Sequence, residues 1–181
     1  ALASLLLFHG VPQLLCGCWR RSQQAPSRYL RCGVDGLDAA AARGDVQEAL
    51  HRFKELLKRP GRLHQRTYFW NIMLKAFANA GDLRGALQHV NLMCRLGIRT
   101  NHKTFGKVMQ AASREGSLEV AEATWLAYAR AFNVKAGAVD DDDIVKLNML
   151  IDASARVGSV ERAEYWLAQC GQAADSGSYK C

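Results

Sequence analysis

The 181-residue chain has no Gly-Lys-Ser/Thr phosphate loop, no nucleophile elbow, no paired catalytic carboxylates and no His-rich metal pattern. Enzymatic activity is therefore not expected, nor is a cofactor, a metal or a small-molecule substrate. The six cysteines make no framework. Cys16 and Cys18 form a C-G-C pair without a second pair at zinc spacing, and Cys32, Cys94, Cys170 and Cys181 stand alone. Reduced, partly buried thiols in a reducing compartment are the expectation. The Asp140–Asp143 run lacks the alternating ligands, the Gly and the distal Glu of a calcium loop. Asp143 is expected instead to N-cap a helix starting at Ile144, with the other acids favouring the same helix dipole.

Long apolar runs are missing too. Ala1–Phe8 is apolar, but His9, Gly10 and Pro12 interrupt it, and it is too short to span a bilayer. No acidic residue occurs before Asp35, while Arg20, Arg21, Arg28 and Arg31 accumulate with Ser22 and Ser27. That composition fits an organelle transit peptide, or the second half of a two-part import signal. It equally fits an apolar arm packed on the first hairpin or on a neighbour. Any membrane contact is expected only through this segment. The chain starts without Met, which is expected of a processed chain or a fragment.

What is present is a repeat. Gly81 falls on Gly116, Leu83 on Leu118, Ala86 on Ala121 and Trp70 on Phe105, each at an offset of 35. The same Gly, β-branched or Leu, then Ala spacing recurs at Gly44, Val46, Ala49 and at Gly158, Val160, Ala163. The glycine intervals are 37, 35 and 42. Such periods indicate stacked helical hairpins. Each Gly closes a first helix, because a left-handed C-cap costs Gly little. Each Ala lies where the second helix crosses the first, where a larger side chain would separate them. Apolar residues at Trp70, Met73, Leu74 and Phe77, then at Leu83, Ala86, Leu87 and Val90, follow helical spacing. The fold predicted is all-α: about four antiparallel helix pairs in a right-handed solenoid. The helices are placed near residues 33–43, 46–59, 67–80, 83–96, 103–114, 118–133, 144–157 and 160–169. The long third interval implies an extended second helix and a loop at Val134–Asp142, a kind of insert that often faces a partner.

At Thr67–Asn101 the chain resembles the pentatricopeptide repeat family. The matching residues are Trp70-Asn71, Ala80-Gly81-Asp82-Leu83, Ala86-Leu87, Met93 and Leu96-Gly97-Ile98, before a polar end at Asn101. Ile144–Gly171 resembles it again, with Leu147-Asn148 in the aromatic-Asn slot, and the His102 unit does so through Ala121. The first unit, from about Leu30, fits by Gly44, Val46, Ala49 and Phe53. The related tetratricopeptide repeat closes its second helix with Pro, which Gly97-Ile98-Arg99-Thr100 lacks. Repeats are placed at about 30–66, 67–101, 102–143 and 144–178, within a repeat domain 30–181 behind an N-terminal segment 1–29.

The resemblance implies single-stranded RNA binding in which one repeat reads one base. Two polar side chains do this, one in the first turn and one at the repeat's end, with a further residue wedging against the base. Carried over, Asn71 and Asn101 form the pair and Tyr68 stacks, which in the family implies a pyrimidine, cytosine before uracil. An amide both donates and accepts, so it suits a Watson–Crick edge. Asn71 also suits a plainer role, satisfying backbone groups at a helix start. The other repeats weaken the pattern. Gly106 and Val34 occupy the reading slot in two of them, and the third repeat ends at Asp143. Asn148 fills the slot in the fourth, whose end near Ser178 lies beyond the pattern.

Charge is uneven. The formal net charge of +7 is split as +6 over residues 1–66, +3 over 67–101, +2 over 102–139 and −4 over 140–181. A polyanion or acidic partner would therefore suit the first repeats only. Lys54, Lys58, Arg59, Arg62, His64 and Arg66 either hold phosphates or complement a helix C-terminus. Arg95, Arg99, Lys103 and Lys107 extend the basic character beside Asn71 and Asn101. Two functions follow. One is a non-catalytic organellar RNA-binding adaptor, in chloroplast or mitochondrion. The other is a structural or assembly subunit that uses the solenoid to grip protein in a large organellar complex.

Overall fold

A computed structural model describes residues 31–59, 66–134 and 140–170. Among the described residues there are eight α-helices and no strand. They form four hairpins: α1 (Arg31–Arg43) with α2 (Val46–Lys58), and α3 (Thr67–Ala80) with α4 (Leu83–Arg95). Then come α5 (His102–Glu115) with α6 (Leu118–Phe132), and α7 (Asp141–Val157) with α8 (Val160–Cys170). The N-terminal segment, Arg62, His64, Ser178 and Cys181 lie outside the described residues, as does most of the Val134–Asp142 loop.

Local chemistry sets these boundaries. Gly81 ends α3 at φ 73°, a conformation that costs a side-chain-bearing residue about 1–3 kcal/mol. Its chain reversal is closed by Asp82 N–H donating to the Phe77 carbonyl at 3.0 Å. Asp82 then caps α4, its carboxylate accepting from Gly85 N at 2.7 Å. Asp45 does the same for α2 through Glu48 N at 3.0 Å. Each cap satisfies an orphan donor and is worth about 1 kcal/mol. Asn133 closes α6 in the left-handed region at φ 53°. The 42-residue interval is taken up by the longer second helix, 15 residues in α6 against 13 in α4, by the loop after it and by the longer α7, 17 residues against 14 in α5.

The first helices stack in series, α1 on α3, α3 on α5 and α5 on α7. Each second helix wedges between its own partner and the next first helix: α2 against α1 and α3, α4 against α3 and α5, α6 against α5 and α7. The core is the continuous seam between these two rows. Phe69, Trp70, Met73, Leu74, Phe105, Met109, Leu147 and Leu150 are fully enclosed in it. No hairpin buries both of its apolar stripes by itself; its neighbours complete the burial. Ala86 and Ala121 are completely buried, as their crossing positions predict. Ala163 departs from the prediction and is only half-buried. Among the described residues no later first helix closes the far side of α8, which packs on α7 and meets α6 through Glu122 with Arg162 and Trp166 and through Trp125 with Trp166.

Candidate nucleic-acid interface

Asn71 is the fifth residue of α3, and Asn101 is the residue that caps α5. The packing of α3 on α5 brings them together: Asn71 Nδ2 donates to Asn101 Oδ1 at 3.0 Å. Thr104, wholly buried, completes a closed ring. Its backbone N–H donates to Asn101 Oδ1 at 3.1 Å, and its hydroxyl accepts from Asn101 N–H at 3.1 Å. The hydroxyl has one hydrogen. Asn101 Oδ1 already accepts twice, so that hydrogen goes to Asn71 Oδ1, 2.9 Å away. Amide orientation is usually a choice between two flips. Here the Thr104 backbone N–H settles it: it can only donate, so the Asn101 atom it meets is Oδ1, and the Asn71 atom facing that oxygen is Nδ2.

The ring leaves a defined remainder. The Asn101 NH2 meets no acceptor among the described residues, yet no buried side-chain polar atom there lacks a partner. That NH2 is therefore open to solvent. Asn71 keeps one N–H and one carbonyl lone pair in reserve. Tyr68, three residues before Asn71, is 57% exposed. Arg99 and Lys103 flank Asn101 and are exposed. The Thr67 hydroxyl donates to the Arg99 carbonyl at 2.6 Å, tying the link before α5 to the start of α3.

Asn71, Lys75 and Asn79 are spaced by four and share one face of α3. A polar ladder continues there across the first helices. Lys75 Nζ pairs with Asp38 on α1 at 2.9 Å. Asn79 Nδ2 donates to the Ala41 carbonyl at 2.9 Å, and its Oδ1 accepts from Gln110 on α5 at 3.1 Å. Arg114 donates to the Asn79 carbonyl. Lys107 Nζ donates to Gln110 Oε1 at 3.0 Å. Burial, with repulsion from Lys75 and Arg114, holds the Lys107 ammonium below the usual lysine range. Ser113 then donates to Asp152 on α7, which also pairs with Arg156 at 3.0 Å.

A family model described as pentatricopeptide repeat-containing protein matches residues 34–170, most of the chain. The chain belongs to the pentatricopeptide repeat family. It is 25% identical over 154 residues to a pentatricopeptide repeat-containing protein of Arabidopsis thaliana. That match covers 83% of the chain and 23% of the relative, so the chain spans about a quarter of the length of the relative it matches.

The other pentatricopeptide repeats arrange their corresponding residues differently. Val34 is buried and cannot reach a ligand. Gly106 has no side chain to offer, and a Cβ added there would meet nothing within 4 Å. Two expectations about the fourth repeat need correction. The cap of α7 is Asp140, not Asp143: Asp140 Oδ1 accepts from Asp143 N at 2.8 Å. Asp143 lies inside the helix, buried, where the Tyr128 hydroxyl donates to it at 2.6 Å and Lys146 Nζ lies 3.8 Å away. Desolvation and this carboxylate raise the Tyr128 hydroxyl far above the ordinary tyrosine range. A carboxylate so occupied cannot serve as the reading end of the third repeat. The earlier start of α7 also makes Asn148 its eighth residue rather than a first-turn residue, and it is half-buried.

The basic stretch is only partly placed. Lys54, Lys58 and Arg59 are exposed, and Lys58 pairs with Glu55 at 2.7 Å. Arg66 precedes α3 and caps it with no side-chain bond. Arg62 and His64 lie outside the described residues. Sequence reasoning missed Thr104, Asn79 and Gln110. The Asn101-x-x-Thr104 spacing was the available signal, since a polar cap and a hydrogen-bonding third residue make a capping box.

Proposed function

We propose that this chain is part of a non-catalytic, organellar adaptor that binds single-stranded RNA. The observation that carries this reading is the Asn71–Asn101 amide pair, two polar side chains from successive repeats held at 3.0 Å with donors turned outward. Tyr68 supplies a stacking face beside it, and Arg66, Arg99, Lys103 and Lys107 supply positive charge for phosphates. The outward face is rich in donors: two on Asn101 and one on Asn71, against a single lone pair. Cytosine presents two adjacent acceptors, O2 and N3, whereas uracil places an N–H between its two carbonyls. Cytosine therefore suits this pair better than uracil.

The test is a binding titration of oligocytidine, oligouridine and oligoadenosine strands against the chain and its Asn71→Ala variant. Oligocytidine should bind most tightly, and Asn71→Ala should weaken it by about 1–3 kcal/mol, because a partly desolvated base edge loses its partner. Indistinguishable binding by the two proteins would remove base reading from this site. In that event the second reading takes over, a subunit gripping protein in an organellar complex. Gly106 and the occupied Asp143 favour it, since they leave one complete pair among the described repeats.

A further inference from the structure

Thr104 belongs to the repeat after Asn71 and points into the core, so nothing about it suggests contact with a ligand. Its hydrogen bonds place it directly behind the Asn71–Asn101 pair, however. We infer that Thr104 is a positioning residue that sets base preference by locking the plane of the Asn71 amide. This inference rests on the RNA-binding reading above and adds a determinant that lies outside the two side chains facing the base.

An amide held at one end still turns about its Cβ–Cγ bond, because terminal torsions of this kind are broad. The Asn71 amide is held at both ends, Nδ2 by Asn101 at 3.0 Å and Oδ1 by Thr104 at 2.9 Å. The Thr104 hydroxyl gives its one hydrogen to Asn71 because Asn101 Oδ1 already accepts from Thr104 N–H and from Asn71 Nδ2, and the bond it accepts from Asn101 N–H, at 3.1 Å, holds the hydroxyl oxygen in place. The α5 cap thus fixes the hydroxyl, and the hydroxyl fixes a side chain at the face. Without the hydroxyl, Asn71 keeps a single tether. Its remaining N–H and lone pair then sweep an arc, and a base edge with donors and acceptors in another order is admitted nearly as well. The loss falls on discrimination more than on affinity.

The experiment measures oligocytidine and oligouridine binding to the wild-type chain, Thr104→Val and Thr104→Ser. Valine keeps the β-branched shape in the buried site and removes only the hydroxyl; serine returns the hydroxyl. The wild-type preference for cytosine should fall about fivefold in Thr104→Val, the scale of one net hydrogen bond, and return in Thr104→Ser. Stacking by Tyr68 should leave oligouridine affinity nearly level. A Thr104→Val protein that loses both affinities equally, or keeps the wild-type ratio, overturns the inference and leaves the RNA reading intact. A wild-type chain whose binding ignores Asn71 overturns both. A measurement on the wild type covers the case in which the valine variant fails to fold. Its Asn71 side-chain amide protons should exchange with solvent more slowly than those of exposed Asn133, and equal exchange would count against the locked amide.

Discussion

Asn71 Nδ2 donates to Asn101 Oδ1 at 3.0 Å, joining the fifth residue of α3 to the residue that caps α5. One side chain thereby serves both a helix end and an interface. The two duties are separable by Asn101→Asp. Aspartate caps a helix as well as asparagine and suits the positive helix N-terminus, so stability should stay within about 0.5 kcal/mol. It accepts from Thr104 N and from Asn71 as before, but its outward donors become an acceptor. Preference should move from oligocytidine towards oligouridine, whose N3–H now finds a partner. Thermal melting and the two titrations check this together.

Ala86 is completely buried where α4 crosses its neighbours. Ala86→Leu inserts three carbons into a closed seam, and overpacking of this kind costs about 1–3 kcal/mol. Urea unfolding should show a lower midpoint. Ala163→Leu, at the corresponding but half-buried position, should cost less.

His89 sits among Phe53, Trp70 and Phe77, with its Nε2 3.2 Å from the Trp70 carbonyl. Burial pushes its pKa down to about 4, from 6.5, against the smaller opposing effect of that hydrogen bond. The unfolded chain therefore takes up a proton below pH 6.5 that the folded chain refuses until about pH 4. Stability is fully present above that window and falls within it as pH drops, by up to roughly 3 kcal/mol. Unfolding free energies measured between pH 7 and pH 4 should show this slope, and His89→Phe should flatten it.

Gly44 and Gly158 both close first helices, at φ 73° and 74°. A Cβ at Gly44 would lie 3.1 Å from the Asn79 backbone carbon, whereas one at Gly158 would meet nothing within 4 Å. Both Gly→Ala changes carry the left-handed strain, about 1–3 kcal/mol. Gly44→Ala should cost more, because α1 must also move away from α3. Comparing the two melting temperatures tests whether the stack, and not the cap alone, selects glycine.

The Tyr128 hydroxyl and Lys146 share the buried Asp143 carboxylate. Tyr128→Phe leaves the carboxylate without its 2.6 Å donor and should cost about 1–3 kcal/mol. Because Asp143 stays occupied by Lys146, RNA affinity should not change. A change in binding without a change in unfolding would reverse the structural assignment of this cluster.

The helix pairs were legible in the sequence because their causes are local. Gly81, Gly116 and Gly158 end helices through their own backbone freedom, and Asp45 and Asp82 start them through hydrogen bonds three residues long. Apolar spacing marked the buried faces for the same reason, and the Asn71/Asn101 pairing was implied by the resemblance to the family. What a side chain does once helices stack was not legible. Asp143 reads as a cap, since Asp before an apolar run usually is one; only the approach of α6 supplies Tyr128 and draws that carboxylate inside. Ala163 reads like Ala86, and only the set of helices around α8 distinguishes them. Thr104 shows the division most sharply. Its bond to Asn101 spans three residues and belongs to the chain, while its bond to Asn71 spans 33 and exists only because α3 packs on α5.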